Sequence, residues 1–187
     1  MPGAIILALL AFTASSSGFT AIAFVGSLAC LIAYARHRDR DHKERARELA
    51  QIQMAQSTEI NRYHVMGPRE FEEAIAYLCH RDGCTNAQRT GKAGDLGADV
   101  MATTPDGRRI VIQCKRYGPT TAVGSGDLQR FGGTCYAVHG AHVAAVVTTS
   151  RFTRPASNYA QTMGIRTFDQ NALAAWASRT GPAPWMT

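Results

Sequence analysis

The sequence predicts an α/β domain, with a mixed central β-sheet covered by helices on both faces, preceded by one or two N-terminal transmembrane helices. Helical and strand-like patterns alternate along residues 66–178, which is typical of a layered α/β fold. A turn sequence from Pro105 to Gly107 separates two segments rich in β-branched and apolar residues, which predicts a β-hairpin. No charged residue occurs from Ala4 to Ala35, which predicts membrane-spanning structure there.

The uncharged N-terminal segment contains an apolar run of about 17 residues, Phe19 to Ala35, near the lower limit for crossing a bilayer core of roughly 30 Å. Two arrangements fit: a single span over about residues 18–35, or a helical hairpin that also uses residues 3–15. A signal peptide would begin with a basic region, which the first three residues do not supply. The basic run from Arg36 to Arg47 follows the span and predicts a membrane protein whose folded domain lies on the cytoplasmic side.

Four segments are expected along the chain: a transmembrane anchor at residues 1–35, a basic juxtamembrane segment and helical linker at 36–65, a folded domain at 66–178 and a flexible tail at 179–187. The linker is rich in helix formers of mixed charge and has few large apolar side chains, so we expect a solvated helix. Gly67 and Pro68 punctuate the chain, and the folded domain is placed to begin there.

Local patterns predict four helices and five strands in the folded domain. Apolar residues recur at helical spacing after Pro68, and Gly83 is suited to end that helix. Thr153 can cap a later helix that carries Pro155 in its first turn. The predicted elements in chain order are a helix from Pro68 to about Asp82, a short edge strand at Thr85–Arg89, the two strands of the hairpin, a helix capped by Gly124 to Asp127 and running to about Val138, a strand at His142–Thr149, a helix after Thr153, a strand at Ile165–Phe168 and a helix at Asn171–Ser178.

The composition is compatible with a polyanionic partner. The 187-residue chain has a formal net charge of +6, and from Met66 onward 13 Lys and Arg residues outnumber 9 Asp and Glu residues. A modest positive excess suits nucleic acid, although it is also ordinary for a basic protein. The five cysteines form no C-x-x-C pair and leave an odd one over, which favours reduced thiols over a disulfide framework or a zinc site.

The predicted hairpin brings three polar residues to one face. A three-residue loop makes Thr104 face Arg108, and counting back from that pair places Asp99 opposite Gln113. Because side chains alternate along a strand, Lys115 shares a face with Gln113 and Asp99. A carboxylate, an amide oxygen and an ammonium would then lie within the roughly 4.5–8 Å reach of cross-strand and diagonal neighbours. This arrangement is suited to holding a hard cation beside a phosphate group.

The same residues carry a resemblance to a known family. Gly94-Asp95-Leu96-Gly97-Ala98-Asp99, followed by Gln113-Cys114-Lys115, resembles the active-site core of the PD-(D/E)xK nuclease superfamily, and closely that of the Mrr-type restriction endonucleases. Those enzymes carry a Gly-Asp-x-Gly-x-Asp stretch and have Gln in place of the second acid. The resemblance covers roughly Met66 to Trp176 and includes three further strings: Phe71-Glu72, Gln129 to Gly133 and Thr148 to Thr153. It implies a restriction-endonuclease-like fold.

Together with the N-terminal segment, the resemblance implies a membrane-anchored endonuclease that hydrolyses DNA phosphodiester bonds with Mg²⁺, or with Mn²⁺ as a substitute. The expected catalytic residues are Asp99, Gln113, Lys115 and Glu72. The expected metal ligands are Asp99, Gln113, the backbone carbonyl of Cys114 and Glu72, the last matching the helix acid of the family. Lys115 would hold the attacking water and stabilise charge on the phosphate.

Further residues are expected around this centre. Gly94 and Gly97 would allow a sharp turn and close backbone approach, and Asp95 would order that loop or touch the metal. The residues expected to contact phosphate or sugar are Arg116, Tyr117, Gln129 and Arg151. The expected partners are DNA, the lipid bilayer and a second copy of the chain in a homodimer.

Two alternatives remain open from the sequence. The same fold could serve as a catalytically inactive module that binds nucleic acid or a partner at the membrane, although an intact Asp, Gln and Lys set argues against this. RNA could replace DNA as the substrate, because no base-reading module accompanies the core.

Overall fold

The computed structural model of the chain describes residues 19–90 and 96–186. The chain divides into two units between Gln51 and Ile52. The first unit, as far as it is described, is helical: α1 begins at Phe19 and continues to Val65, within the second unit.

The part of α1 that precedes Ile52 is exposed from Arg36 onward, with one residue of intermediate exposure. Charged side chains pair one turn apart, with Lys43 Nζ 2.6 Å from an oxygen of Asp39. These residues form an exposed helix, and the linker role expected for residues 36–65 stays a prediction. Among the described residues, no helix is both long enough and apolar enough to span a bilayer. The predicted helical segment at residues 3–15 lies outside the described residues.

The folded unit begins earlier than expected. We placed its start at Met66 because residues 36–65 have few large apolar side chains, but the last turns of α1 contribute to the core. Tyr63 is buried, and its ring packs edge-on against the ring of Phe71 with 5.8 Å between centroids. Ile60 packs against the same core. Two apolar contacts near the end of a polar helix therefore extend the domain into α1.

A five-stranded mixed sheet forms the centre of the second unit. Its strands are β1 (Thr85–Arg89), β2 (Val100–Thr103), β3 (Arg109–Lys115), β4 (Val143–Thr148) and β5 (Ile165–Phe168), and they lie side by side in chain order. Strand β2 is antiparallel to both β1 and β3, whereas β4 runs parallel to both β3 and β5. All residues of β4 are buried, as expected for a strand covered on both faces.

Helices cover both faces of the sheet. They are α2 (Pro68–Arg81), α3 (Ser125–Cys135), α4 (Arg154–Thr162) and α5 (Gln170–Ala177). Helices α2 and α5 share a core with Ile110 and Ile112 of β3, whereas α3 and α4 share a core with Val111. The alternation of side chains along β3 thus divides the apolar residues between two cores. The predicted α/β class with a mixed sheet flanked by helices is confirmed.

Most predicted elements lie where local patterns put them. Strands β1 and β5 have the predicted bounds. Thr153 caps α4, its hydroxyl oxygen accepting a hydrogen bond from Ala156 N. The start of α3 differs from the prediction, because Gly124 occupies the N-cap and no side chain caps it. The Asp127 carboxylate, which we expected to help cap this helix, instead faces Lys115.

The C-terminal segment is packed rather than loose over its described part. We expected a flexible tail at residues 179–187, yet Ala183 is buried and Trp185 is only 6% exposed. The Trp185 ring lies edge-on to Trp176 of α5 with 5.9 Å between centroids, and Trp185 O accepts a hydrogen bond from Arg108. These partners are distant in sequence, so no local pattern indicates the contact.

Candidate active site

The hairpin of β2 and β3 has the register that its turn predicts. Thr104 N donates a hydrogen bond to Arg108 O at 2.8 Å, and the pairing continues in step along the four residues of β2. Just before β2 the pairing shifts by one residue, because Asp99 N donates to Ile112 O at 3.0 Å although Ile112 is already the partner of Val100. The paired residues of β2 and β3 begin at Val100 and do not include Asp99, so the predicted pairing of Asp99 with Gln113 stays a prediction.

A cavity of about 590 Å³ opens at this end of the hairpin. It is lined by β3, by the segment before β2, and by residues of α2 and α3. Among its lining residues are Glu72, Asp99, Gln113, Cys114, Lys115 and Arg130. The fold thus brings all four residues predicted to be catalytic to one cavity.

The Gln113 side chain is buried without full hydrogen bonding. Gln113 is only 7% exposed, and its Oε1 has no hydrogen-bond partner among the described residues. A buried polar atom without a partner costs about 1–3 kcal/mol, and native proteins keep few of them. The amide oxygen is therefore suited to a ligand that supplies the missing contact.

A glycine turn allows the chain to approach this amide closely. Gly97 has a φ of +88°, and a Cβ at this position would lie 3.1 Å from Gln113 Nε2, so both the backbone angle and the space favour glycine. The preceding Leu96 also has a positive φ, +51°, and its side chain is exposed at the cavity. Thr134 of α3 holds the turn, its hydroxyl donating to Leu96 O at 2.7 Å. A non-glycine residue in this conformation is typical of functional sites.

The backbone of β3 fixes the Asp99 carboxylate. Asp99 Oδ2 accepts a hydrogen bond from Cys114 N at 2.7 Å, a length typical of a charge-assisted bond. Burial raises the pKa of the Cys114 thiol well above its usual range, and the negative charges of Asp99 and Glu72 raise it further. The thiol is therefore protonated in the metal-free protein, and the backbone carbonyl is the donor that the sequence predicts at Cys114.

Lys115 ends β3 and faces an acidic partner. Its Nζ lies 3.7 Å from Asp127 Oδ1 in the first turn of α3, and both side chains are largely buried. Thr148 fixes the strand end, its hydroxyl donating to Lys115 O at 2.6 Å. Thr149 donates to Tyr117 O and accepts from Tyr117 N. Hydroxyl groups at the end of β4 therefore hold the backbone from Lys115 to Tyr117.

Glu72 approaches the cavity from α2. Its Oε2 lies 3.2 Å from Arg89 Nη1, which donates a hydrogen bond to it, and the carboxylate is mostly buried. Arg89 therefore competes with any ligand of the cavity for this carboxylate. Glu72 is for this reason a weaker candidate ligand than Asp99.

The residues expected to contact phosphate or sugar fall into two groups. Gln129 and Arg151 are exposed, although Arg151 Nη1 also donates to Pro119 O at 3.1 Å. Arg116 and Tyr117 have internal partners instead. Arg116 Nη2 donates to His64 O at 2.9 Å, which ties the end of β3 to the last turn of α1. The Tyr117 hydroxyl lies 3.5 Å from Asp127 Oδ2.

Sequence comparison identifies the family. A family model described as a restriction endonuclease, Mrr_cat, matches residues 63–177, which is more than half of the chain. The chain belongs to the Mrr-type restriction endonuclease family. The match begins at the buried Tyr63 and ends at Ala177, the last residue of α5, so it includes every strand of the sheet. The resemblance indicated by the hairpin residues is confirmed.

Three solved structures are similar to this Mrr-family chain. A protein of unknown function, AF1548, has a TM-score of 0.45 and 23% identity, over 55% of this chain and 58% of that one. The DNA modification-dependent restriction endonuclease AspBHI has a TM-score of 0.49 and 18% identity, over 71% and 36% of the two chains. The MspJI restriction endonuclease, in complex with a 27-mer oligonucleotide, has a TM-score of 0.43 and 19% identity, over 70% and 31%. The matched region thus spans about a third to just over half of each relative's length. No curated protein sequence matches the chain.

Nucleases of the restriction-endonuclease fold generally use divalent metal ions, and the cavity residues of this family member fit such an ion. Mg²⁺ prefers oxygen ligands and usually takes only one or two carboxylates with several waters. Asp99 offers a carboxylate and Gln113 an unpartnered amide oxygen. The described residues contain no group of three or more His, Cys, Asp and Glu side chains placed to hold a metal. The predicted donors differ from such a group because one is an amide and another a backbone carbonyl.

Some predicted residues are not tested, and two site residues were missed. Gly94 and Asp95 lie outside the described residues, so their expected roles stay predictions. Asp127 and Arg130 face the site from α3, where Arg130 Nη2 lies 2.6 Å from Asp127 Oδ1. The order of the elements could have indicated them, because this helix follows the strand that carries Lys115 and covers the same face of the sheet.

Proposed function

We propose that this Mrr-family protein is a metal-dependent endonuclease that hydrolyses phosphodiester bonds in DNA. The observation that supports the proposal best is the buried Gln113 amide oxygen, which has no partner among the described residues and shares a cavity with Asp99 and Lys115. An amide oxygen, a carboxylate and an ammonium in one cavity suit a cation and a phosphate group together. If position 113 served packing alone, an apolar side chain would be the more stable choice.

The residues of the cavity would have different roles in the reaction. Asp99 and Gln113 would bind the cation through one oxygen each, with the Cys114 carbonyl and Glu72 as further donors. When bound, Mg²⁺ or Mn²⁺ supplies Lewis-acid chemistry, which polarises a phosphate oxygen and activates a water. Lys115 would stabilise the negative charge that develops on the phosphate and orient the attacking water.

DNA is the proposed substrate because the family is one of restriction endonucleases and the folded domain carries an excess of Lys and Arg. Arg130 lines the cavity, and Gln129 and Arg151 are exposed, so all three are candidates for contact with phosphate or sugar. Contacts of this kind carry no sequence information directly. Duplex binding should therefore weaken steeply with salt and depend little on sequence.

The test separates chemistry from binding. Full-length protein is incubated with supercoiled plasmid and Mg²⁺, and duplex affinity is measured separately in EDTA. Lys115→Ala should lower the nicking rate by at least about tenfold, which corresponds to ~1.4 kcal/mol in the barrier, and change duplex affinity by less than about threefold. The matched control is Arg109→Ala, which removes a cation at the other end of β3.

Equal nicking by wild type and Lys115→Ala would exclude Lys115 from the reaction. Duplex binding without nicking by the wild type would favour the inactive module.

We also propose that the N-terminal segment anchors the protein in a membrane, with the nuclease domain in the cytoplasm. The support is the absence of charge from Ala4 to Ala35 and the basic run from Arg36 to Arg47. In bacteria, the full chain should sediment with membranes, and its domain should resist protease added to intact spheroplasts. Recovery in the soluble fraction would contradict the anchor. Digestion while a cytoplasmic control survives would contradict the orientation.

A further inference from the structure

Asp127 is a largely buried carboxylate beside the cavity of the proposed active site, where it contacts two residues that line the cavity. Its side chain is 14% exposed, and it lies in the first turn of α3 as the acidic residue of that turn. Three groups from the site face it: Lys115 Nζ at 3.7 Å, Arg130 Nη2 at 2.6 Å and the Tyr117 hydroxyl at 3.5 Å. Tyr117 and Lys115 come from the end of β3, so the carboxylate joins two elements of the site.

The helix does not need this carboxylate as a cap. Gly124 forms the N-cap of α3, and no side chain accepts a capping hydrogen bond there. Stability alone does not explain the pair with Arg130 either, because the Arg130 side chain is 73% exposed and exposed ion pairs contribute little. The arrangement is better explained by what the two cations do in the cavity that both of them line.

The geometry limits where the two cations lie. Lys115 and Arg130 approach the same oxygen, Asp127 Oδ1, at 3.7 and 2.6 Å, so their nitrogens are at most 6.3 Å apart. Two like charges so close together repel, and a carboxylate between them offsets that repulsion. The separation of 3.7 Å from Lys115 Nζ is longer than a normal hydrogen bond. The ammonium is thus held by charge while its N–H groups remain suited to another acceptor.

We propose that Asp127 is a positioning residue, which holds the Lys115 ammonium and the Arg130 guanidinium side by side so that both face one phosphate of the substrate. This inference rests on the proposed nuclease function. Two cations placed together match the two non-bridging oxygens of a phosphodiester, and Arg binds such oxygens particularly well. Asp127 contacts neither substrate nor metal in this account and acts through its two cationic partners.

The test compares three variants of the full-length protein with the wild type. Asp127→Asn removes the charge, Asp127→Glu keeps it, and Asp106→Asn is the matched control, an aspartate paired with an arginine in the hairpin turn. For each variant we measure kcat and KM for plasmid nicking, duplex affinity in EDTA and Tm. Asp127→Asn should lower kcat by at least about tenfold. Its duplex affinity should be unchanged or higher, because a negative charge near a polyanion is removed. Asp127→Glu should restore most of kcat, and Asp106→Asn should nick as wild type does.

Several outcomes would overturn the inference. Unchanged kcat in Asp127→Asn would remove the positioning role while leaving the nuclease function intact. A loss of kcat that follows a fall in Tm and in duplex affinity, without recovery in Asp127→Glu, would show a merely structural role. Absence of nicking by the wild type would contradict the proposed function itself and, with it, this inference.

Discussion

Replacing Gln113 with methionine should stabilise the protein when divalent metal is absent and leave it less stable than wild type when metal is present. Methionine is similar to glutamine in length but has no amide. The variant therefore removes the buried Oε1 that has no partner among the described residues. It also removes the oxygen that is proposed to bind the cation. The variant should therefore be the more stable protein without Mg²⁺, and the wild type the more stable protein with it.

Two terms of opposite sign set the magnitude. Removing an unpartnered buried polar atom raises the free energy of unfolding by about 1–3 kcal/mol. We expect about 1 kcal/mol of this stabilisation in EDTA, which corresponds to a rise in Tm of roughly 3–5 °C for a unit of this size. Mg²⁺ at a hundred times its Kd should stabilise the wild type by about 2.7 kcal/mol. A variant whose affinity is about a hundredfold weaker gains only ~0.4 kcal/mol under the same conditions. In Mg²⁺ the free energy of unfolding of the wild type should then be about 1 kcal/mol higher than that of the variant.

Thermal unfolding in EDTA and across a Mg²⁺ titration measures both terms. The matched control is Gln161→Met, at an exposed position of α4, which should change neither Tm nor the response to Mg²⁺. A lower Tm for Gln113→Met in EDTA would show that the amide makes favourable contacts in the metal-free protein. Equal stabilisation of both proteins by Mg²⁺ would show that Gln113 is not a ligand.

Three further predictions concern the packing around this site and at the end of the chain. Gly97→Ala should lower stability by about 1 kcal/mol or more and reduce nicking, because the new Cβ would be strained at positive φ and would crowd the active-site amide. Burial alone would raise the pKa of Asp82, but hydrogen bonds from Arg81 and Trp176 hold that pKa below 3.8. Asp82→Asn should therefore lower the free energy of unfolding at pH 7 by about 1–3 kcal/mol. This difference should begin to shrink as the pH falls below 3.8 and be lost as the pH falls through the lowered pKa of the folded wild type, where its carboxylate also loses its charge. Trp185→Ala should cost about 3 kcal/mol in the free energy of unfolding, since the ring is buried against Trp176.

Controls for these variants come from exposed or open positions. Gly133→Ala on α3 adds a Cβ that would meet no atom within 4 Å, so it should leave nicking unchanged. Met186→Ala removes an exposed side chain next to Trp185 and should have little effect on Tm. Three results would each contradict the corresponding contact. They are wild-type activity in Gly97→Ala, an Asp82→Asn deficit that does not shrink as the pH falls below 3.8, and a Trp185→Ala Tm within about 1 °C of wild type.

Local patterns predicted the hairpin and the register of β2 on β3 correctly. The turn at Pro105 to Gly107 needs only the conformational preferences of its own residues, and it sets the pairing of both strands. Once the register is known, the twofold alternation along a strand determines that Gln113 and Lys115 share a face. The bounds of β1 and β5 follow in the same way from short segments between clear breaks.

Contacts between distant segments could not be predicted from local patterns. Tyr63 and Trp185 lie in segments that we expected to be solvated or flexible, and both are buried by partners in other elements. Asp127 has the sequence position of a capping residue, yet it faces Lys115 because α3 packs on the active-site face of the sheet. Arg116, whose expected contact with DNA stays a prediction, also donates to His64 O. In each case the docking of one element on another decides the contact.

The most direct test of the proposed nuclease centre is the conversion of supercoiled plasmid to open circles by the full-length protein in Mg²⁺ and in EDTA. We expect nicking in Mg²⁺, its loss in EDTA, and its return when excess Mg²⁺ or Mn²⁺ is added, with Asp99→Asn inactive throughout. Nicking that continues in EDTA, or equal nicking by Asp99→Asn, would contradict a metal-dependent centre at Asp99 and Gln113. No nicking by the wild type under any of these conditions would contradict the nuclease function.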